Sequence, residues 1–102
     1  MRTDYRVTNN RRATGLSCLQ GYIVTQYDSL VEKLGEPILG SGDGKVSAEW
    51  IIKFNDGKVA TIYDYKEKTT PKETYDWHIG GNSREVVRRV EEIMENYAVR
   101  EA

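Results

Sequence analysis

The 102 residues hold 38% hydrophobic and 30% charged side chains, one cysteine and a net charge of -1. That balance suits one folded domain, excludes a disordered chain, and at a pI near 5.8 lacks the basic footprint of a duplex nucleic-acid binder. Cys18 cannot form an intrachain disulfide, no apolar run nears the ~20 residues that cross a bilayer, and residues 1–16 hold no apolar signal segment, so a cytoplasmic protein with no membrane partner is expected.

Taken in chain order, residues 1–16 are polar and read as a flexible N-terminal arm. Within it Tyr5 and Val7 alternate with polar neighbours, as in a short edge strand. Residues 17–102 read as a single α+β domain. Ser17 to Thr25 has the β-branched and aromatic content of a strand. A short helix follows. Thr25 is placed to cap it, Asp28 completes a capping-box spacing, and Tyr27, Leu30, Val31 and Leu34 share one face. Gly35 suits the left-handed stop and Pro37 forbids continuation. Residues 38–46 carry three glycines and read as a mobile loop.

Residues 47–66 predict a β-hairpin around Asn55-Asp56-Gly57. A two-residue turn with Asp56-Gly57 at its centre sets Phe54 opposite Val59, Ile52 opposite Thr61 and Trp50 opposite Tyr63. The core face then comprises Ala48, Trp50, Ile52 and Phe54 with Val59, Thr61, Tyr63 and Tyr65. The other face shows one apolar pair, Ile51 and Ile62. A three-residue turn with a bulge slips this register by one and exchanges the faces. Residues 66–73 form a charged loop. Thr74 to Ile79 reads as a further strand, with Tyr75, Trp77 and Ile79 on one side and Asp76 and His78 on the other. Gly80-Gly81 then turns into a last helix capped by Asn82 or Ser83, with Val86, Val87, Val90, Ile93, Met94 and Tyr97 as its apolar stripe. Its arginines, Arg84, Arg88 and Arg89, precede its glutamates, an order that opposes the helix dipole. The expected fold is a two-layer α+β sandwich in the order β-α-β-β-β-α. Three or four antiparallel strands carry two helices on one face and leave the other face to solvent or a partner.

His78 is the only histidine. Asp76 points the same way on the strand and is a candidate to orient the ring, with Ser83 and Cys18 as conceivable nucleophiles. A lone Asp-x-His is a weak catalytic signal, and a strand histidine bonded to a neighbour is the plainer reading, so no catalytic residue and no enzyme activity is expected. One histidine and one cysteine far apart give no zinc spacing, so neither metal nor cofactor is expected. The Gly80-Gly81-Asn82-Ser83 run reads first as an ordinary strand-to-helix turn. Its second reading is an anion cradle at a helix N-terminus, with Arg84, Arg88 and His78 adding charge and Tyr75 or Trp77 stacking a base. Tyr63-Asp64-Tyr65-Lys66 and Tyr75-Asp76-Trp77-His78 echo each other, twelve residues apart. The plain account of the echo is two strands with similar alternation.

LQGY, AEWIIKFNDGKVATIYDYK and YDWHIGG followed by a helix together resemble a family of small uncharacterised proteins of tailed bacteriophages and prophages. The resemblance covers about residues 17–95, and YDWHIGG is its most specific part. It implies a phage accessory protein in the host bacterial cytoplasm, one that binds and modulates or inhibits a host protein such as a defence factor. Its alternative is a sponge that sequesters a signalling nucleotide at Gly80, Gly81, Asn82, Ser83 and Arg84. Tyr63, Tyr65, Tyr75, Asp76, Trp77, His78, Arg84 and Arg88 are the expected contact residues, and homodimerisation through an edge strand or the open face is compatible with the pattern. LVEKLGEP with the spacing W-x-x-x-F-x-D-G-x-V is also similar to protein-binding modules of lipoprotein assembly factors and β-lactamase inhibitor proteins. Without a lipobox or signal segment, an envelope role is not expected.

Overall fold

A computed structural model describes residues 4–11, 17–40, 44–95 and 97–102. The chain runs β1 (Tyr5–Thr8), β2 (Cys18–Thr25), α1 (Tyr27–Leu34), β3 (Ile38–Leu39), β4 (Ala48–Phe54), β5 (Val59–Tyr63), β6 (Tyr75–Gly81), α2 (Val86–Met94) and β7 (Val99–Glu101). The strands form one antiparallel sheet in the order β1-β4-β5-β6-β2-β7, and β3 lies beside β1 on the same edge of β4. The α+β class is as expected, but three or four strands understate the seven-stranded sheet of the described residues. The additional strands are two to four residues long. They are too short to show alternation and become strands by pairing with a longer neighbour. β1 lies in the segment read as an arm, β3 in the glycine-rich loop and β7 beyond the last helix. The rest of the arm, residues 1–3 and 12–16, lies outside the described residues, as do residues 41–43 of the loop.

The hairpin corrects the expected register. The Gly57 N–H donates to the Phe54 carbonyl at 3.0 Å, and the Phe54 N–H donates to the Lys58 carbonyl at 2.9 Å. Gly57 has φ 92°, the left-handed conformation that suits glycine. Asn55-Asp56-Gly57 is therefore a three-residue turn with a glycine bulge, not the two-residue turn. Lys53 faces Val59, Ile52 faces Ala60 and Trp50 faces Ile62. Every β5 side chain is thereby turned over. Ala60 and Ile62 join Ala48, Trp50, Ile52 and Phe54 in the core, while Val59, Thr61 and Tyr63 take the other face. The physical reason lies in the neighbouring strands. Ile62 sits between Trp50 on β4 and Ile79 on β6, wholly apolar surroundings, and the Tyr63 phenol keeps its polar end away from them.

Both helices pack on this core face. Leu30 and Leu34 of α1 and Val86, Val87, Val90, Ile93 and Met94 of α2 join Ile23, Trp50, Trp77 and Ile79 in one buried cluster. The two indoles meet edge to face at 5.5 Å. Each finds a carbonyl for its N–H: Trp50 donates to Gly35 at 2.7 Å and Trp77 to Thr25 at 3.1 Å. Thr25 is thus a strand residue, and Gln26 is the N-cap of α1, without a side-chain cap bond. Gly35 closes the helix at φ 86°, but its ψ of -169° is extended and not that of the left-handed stop. α2 ends at Met94, short of Tyr97, yet Tyr97 still packs on the core and its hydroxyl lies 2.8 Å from Ser29 Oγ. No described helix is long and apolar enough to cross a membrane.

Candidate functional site

Strand parity delivers three rings in a row on the face opposite the helices. Tyr63 of β5 faces His78 of β6, which faces Tyr22 of β2. The imidazole stacks on Tyr63 at 5.3 Å and 29°, meets Tyr22 edge on at 5.1 Å, and lies 5.6 Å from Tyr65, just beyond β5. Beside them, Arg100 of β7 sets its guanidinium 4.3 Å from the Tyr22 ring centroid and grips Asp76 through both carboxylate oxygens, one at 2.8 Å. Tyr65 and Val24 remain 38% exposed at the margin of this patch.

Burial pushes the His78 imidazole below its ordinary pKa, against the opposing pull of the Asp76 and Asp64 carboxylates; Arg100 adds to the depression. His78 Nδ1 is buried and makes no hydrogen bond among the described residues. Burial likewise pushes the Tyr63 phenol up, with Glu49 next in effect, so it stays a neutral hydroxyl.

The other half of the same face is covered although no helix lies on it. Ile51, Val59 and Thr61 are buried. The described ends of the connection between β1 and β2 meet it there. The Arg11 Nε bonds Glu49 at 3.3 Å, and its guanidinium also reaches the Gly40 carbonyl. Ser17 and Cys18 help line a cavity of about 220 Å³ with Thr61, Tyr63 and Gly80. The open part of the face is therefore the tyrosine–histidine cluster and the ion pair beside it.

Of the residues singled out in the sequence, Tyr63, Tyr65, Asp76 and His78 come together in this patch, and Gly80 lies on the same face beside it. Tyr75 and Trp77 point to the helices instead, and Trp77 is fully buried. The echo thus joins segments of opposite orientation: Tyr63 aligns with His78, not with Tyr75. Gly80 and Gly81 are not a turn but the end of β6, paired with Thr61 and Ala60. A Cβ on Gly80 would lie 2.6 Å from Thr61 Oγ1, and one on Gly81 would lie 2.6 Å from the Val59 carbonyl and 2.7 Å from Val86 Cγ2. The pair is needed for close packing. Asn82 does not cap α2; its Oδ1 accepts the Val59 N–H at 3.0 Å and extends the ladder. The Ser83 Oγ accepts the Glu85 N–H at 3.3 Å, and the Val86 and Val87 N–H groups donate to the Ser83 and Arg84 carbonyls. Asn82 Oδ1, Ser83 Oγ and the first N–H groups of α2 are thus engaged within the chain. Arg84 and Arg88 are exposed, and Arg88 pairs with Glu91 at 3.4 Å.

The carboxylate of Asp76 is taken up by Arg100, and no hydrogen bond joins it to the imidazole among the described residues. Two members of the patch escaped the sequence reading. Tyr22 alternates with Ile23, so its parity could have placed it opposite the core; Arg100 gave no signal, because β7 is recognisable only by its pairing with β2. Among the described residues no three His, Cys, Asp or Glu groups converge as a metal site. No family model, curated protein or solved structure matches the chain.

Proposed function

We propose that this chain is a non-enzymatic binding protein whose contact surface is the open part of the helix-free sheet face, and that its partner is a protein. The observation that supports this reading most is the cluster itself: Tyr22, Tyr63, Tyr65 and His78 packed ring on ring, with Arg100 laid over Tyr22 and neutralised by Asp76. Tyrosine and arginine are the side chains on which interface energy concentrates. Here their rotamers are already fixed by mutual contact, so little side-chain entropy remains to be lost on docking. The ion pair is closed within the chain, which spares a partner the need to match a lone charge. The likeness to tailed-phage proteins through YDWHIGG points to a bacterial host protein, which the chain modulates or inhibits in the host cytoplasm.

The test is affinity capture from bacterial lysate with three tagged forms: wild type, the double variant Tyr22→Ala/Arg100→Ala, and the helix-side control Arg88→Ala. The expected result is one stoichiometric protein held by wild type and control and lost from the double variant. Capture that depends on Arg88 and not on Tyr22 and Arg100, or no stoichiometric partner at all, would overturn the proposal.

A further inference from the structure

Among the described titratable groups, His78 alone combines a central place among aromatic rings with a buried ring nitrogen that lacks a partner. A neutral imidazole tolerates this position, with its proton on Nε2 and Nδ1 left as a bare acceptor. An imidazolium does not, because both nitrogens then carry N–H donors and Nδ1–H has nothing to donate to. The charged groups facing the ring from each neighbouring element act in both directions. Asp76 on β6 and Asp64 after β5 attract a positive ring, Arg100 on β7 repels it, and Tyr22 on β2 with Tyr63 and Tyr65 on and after β5 meet it with their aromatic rings. The carboxylates are committed elsewhere. Asp76 is held by Arg100, and Asp64 accepts the Ser47 and Ala48 N–H groups at 2.8 and 3.0 Å. Neither is free to swing over and receive the new donor.

We infer that His78 is a pH-sensitive latch for the tyrosine cluster: the neutral ring holds Tyr22, Tyr63 and Tyr65 together, and protonation drives it out of their midst toward water. The direction follows from linkage. The folded state binds the proton less readily than the unfolded chain, so the contribution of this site is intact above histidine's ordinary pKa of ~6.5 and fades as pH falls below it. The latch itself is a property of the free protein. Only its consequence, loss of the contact surface in mildly acidic conditions, rests on the proposed function.

The chain contains a single histidine, so an NMR titration of the untagged protein between pH 8 and pH 4 follows this ring without ambiguity. The expected result is a His78 midpoint below ~6.5, with the ring resonances of Tyr22, Tyr63 and Tyr65 moving at the same midpoint. In His78→Gln those tyrosine signals should stay fixed over that interval. A midpoint at or above the ordinary value, tyrosine resonances that ignore the histidine transition, or the same movement in His78→Gln would each overturn the inference. Should His78→Gln fail to fold, the two wild-type readouts decide alone. No partner is involved, so failure here is distinguishable from failure of the capture experiment.

Discussion

At Gly81 a single hydrogen atom decides how closely α2 can approach the sheet. A methyl group there would meet the Val59 carbonyl and a Val86 methyl at less than 3 Å, and the carbonyl belongs to the β5 backbone, which cannot step aside. Overpacking of this kind costs about 1–3 kcal/mol. Gly81→Ala is therefore expected to lower the unfolding free energy by about that amount in urea denaturation, with the m-value unchanged; a neutral result would mean that α2 does not rest on β6. Single residues also mark the limit of what the sequence reveals. The alternation of Tyr75 and Trp77 with Asp76 and His78 was legible, because strand parity needs no partner. That Gly80 and Gly81 continue the strand was not, because a glycine pair before a polar residue reads as a turn until the neighbouring strand shows why no side chain fits.

The hairpin sets the outcome at the scale of the element. Asn55-Asp56-Gly57 supports either a two-residue or a three-residue turn, and the choice rests on contacts outside the hairpin. Only the three-residue turn puts Ile62 between Trp50 and Ile79 and returns Tyr63 to His78. The local sequence favours neither strongly, since Val59, Thr61 and Tyr63 are as strand-like as Ala60 and Ile62. The same turn accounts for one of the arginines that precede the glutamates of α2. Arg89 donates to both carboxylate oxygens of Asp56, at 2.8 and 2.6 Å, reaches Glu85 at 3.2 Å, and lies 4.9 Å from the Phe54 ring centroid. An arginine that looked misplaced against the helix dipole tethers the hairpin tip to α2. Its hydrogen bonds hold the Asp56 carboxyl well below the usual carboxylate range. A carboxylate with a depressed pKa stabilises the fold above its unfolded value of ~3.9 and loses that contribution as pH falls below it. Arg89→Ala should accordingly be less stable than wild type at pH 7, and the gap should narrow both at pH 2 and in 1 M salt. Denaturation curves under the three conditions check this; a gap independent of pH and salt would leave only packing on Phe54 as the role of Arg89.

For the whole molecule, the accessible surface of 6072 Å² compares with about 5,900 Å² for a folded monomer of this mass. The radius of gyration of 12.2 Å compares with about 12.8 Å for this length. The helix side is complete, with both indoles bonded and both helices seated, so the monomer needs no partner to close its core. The outer strands, β1 with four residues and β7 with three, are too short to template long edge-to-edge pairing. Under the proposed function recognition falls to the ring cluster on the opposite face, and a surface already in place docks as a rigid body. The two-layer arrangement was legible from amphipathic spacing in α1, α2 and β4. The seven strands of the described residues and the contact of Arg11 with Glu49 were not, because both depend on pairings between residues far apart in the chain.

Hydroxyl-radical footprinting of the captured complex against the free protein addresses the contact surface most directly, because it reads side chains rather than backbone amides already protected by the sheet. Tyr22, Tyr65 and His78 should lose reactivity in the complex, while Leu39, 72% exposed on β3 at the far edge of the sheet, should keep it. Protection of Leu39 or the outer side of α2, with those three rings as reactive as before, would contradict a docking face built around His78.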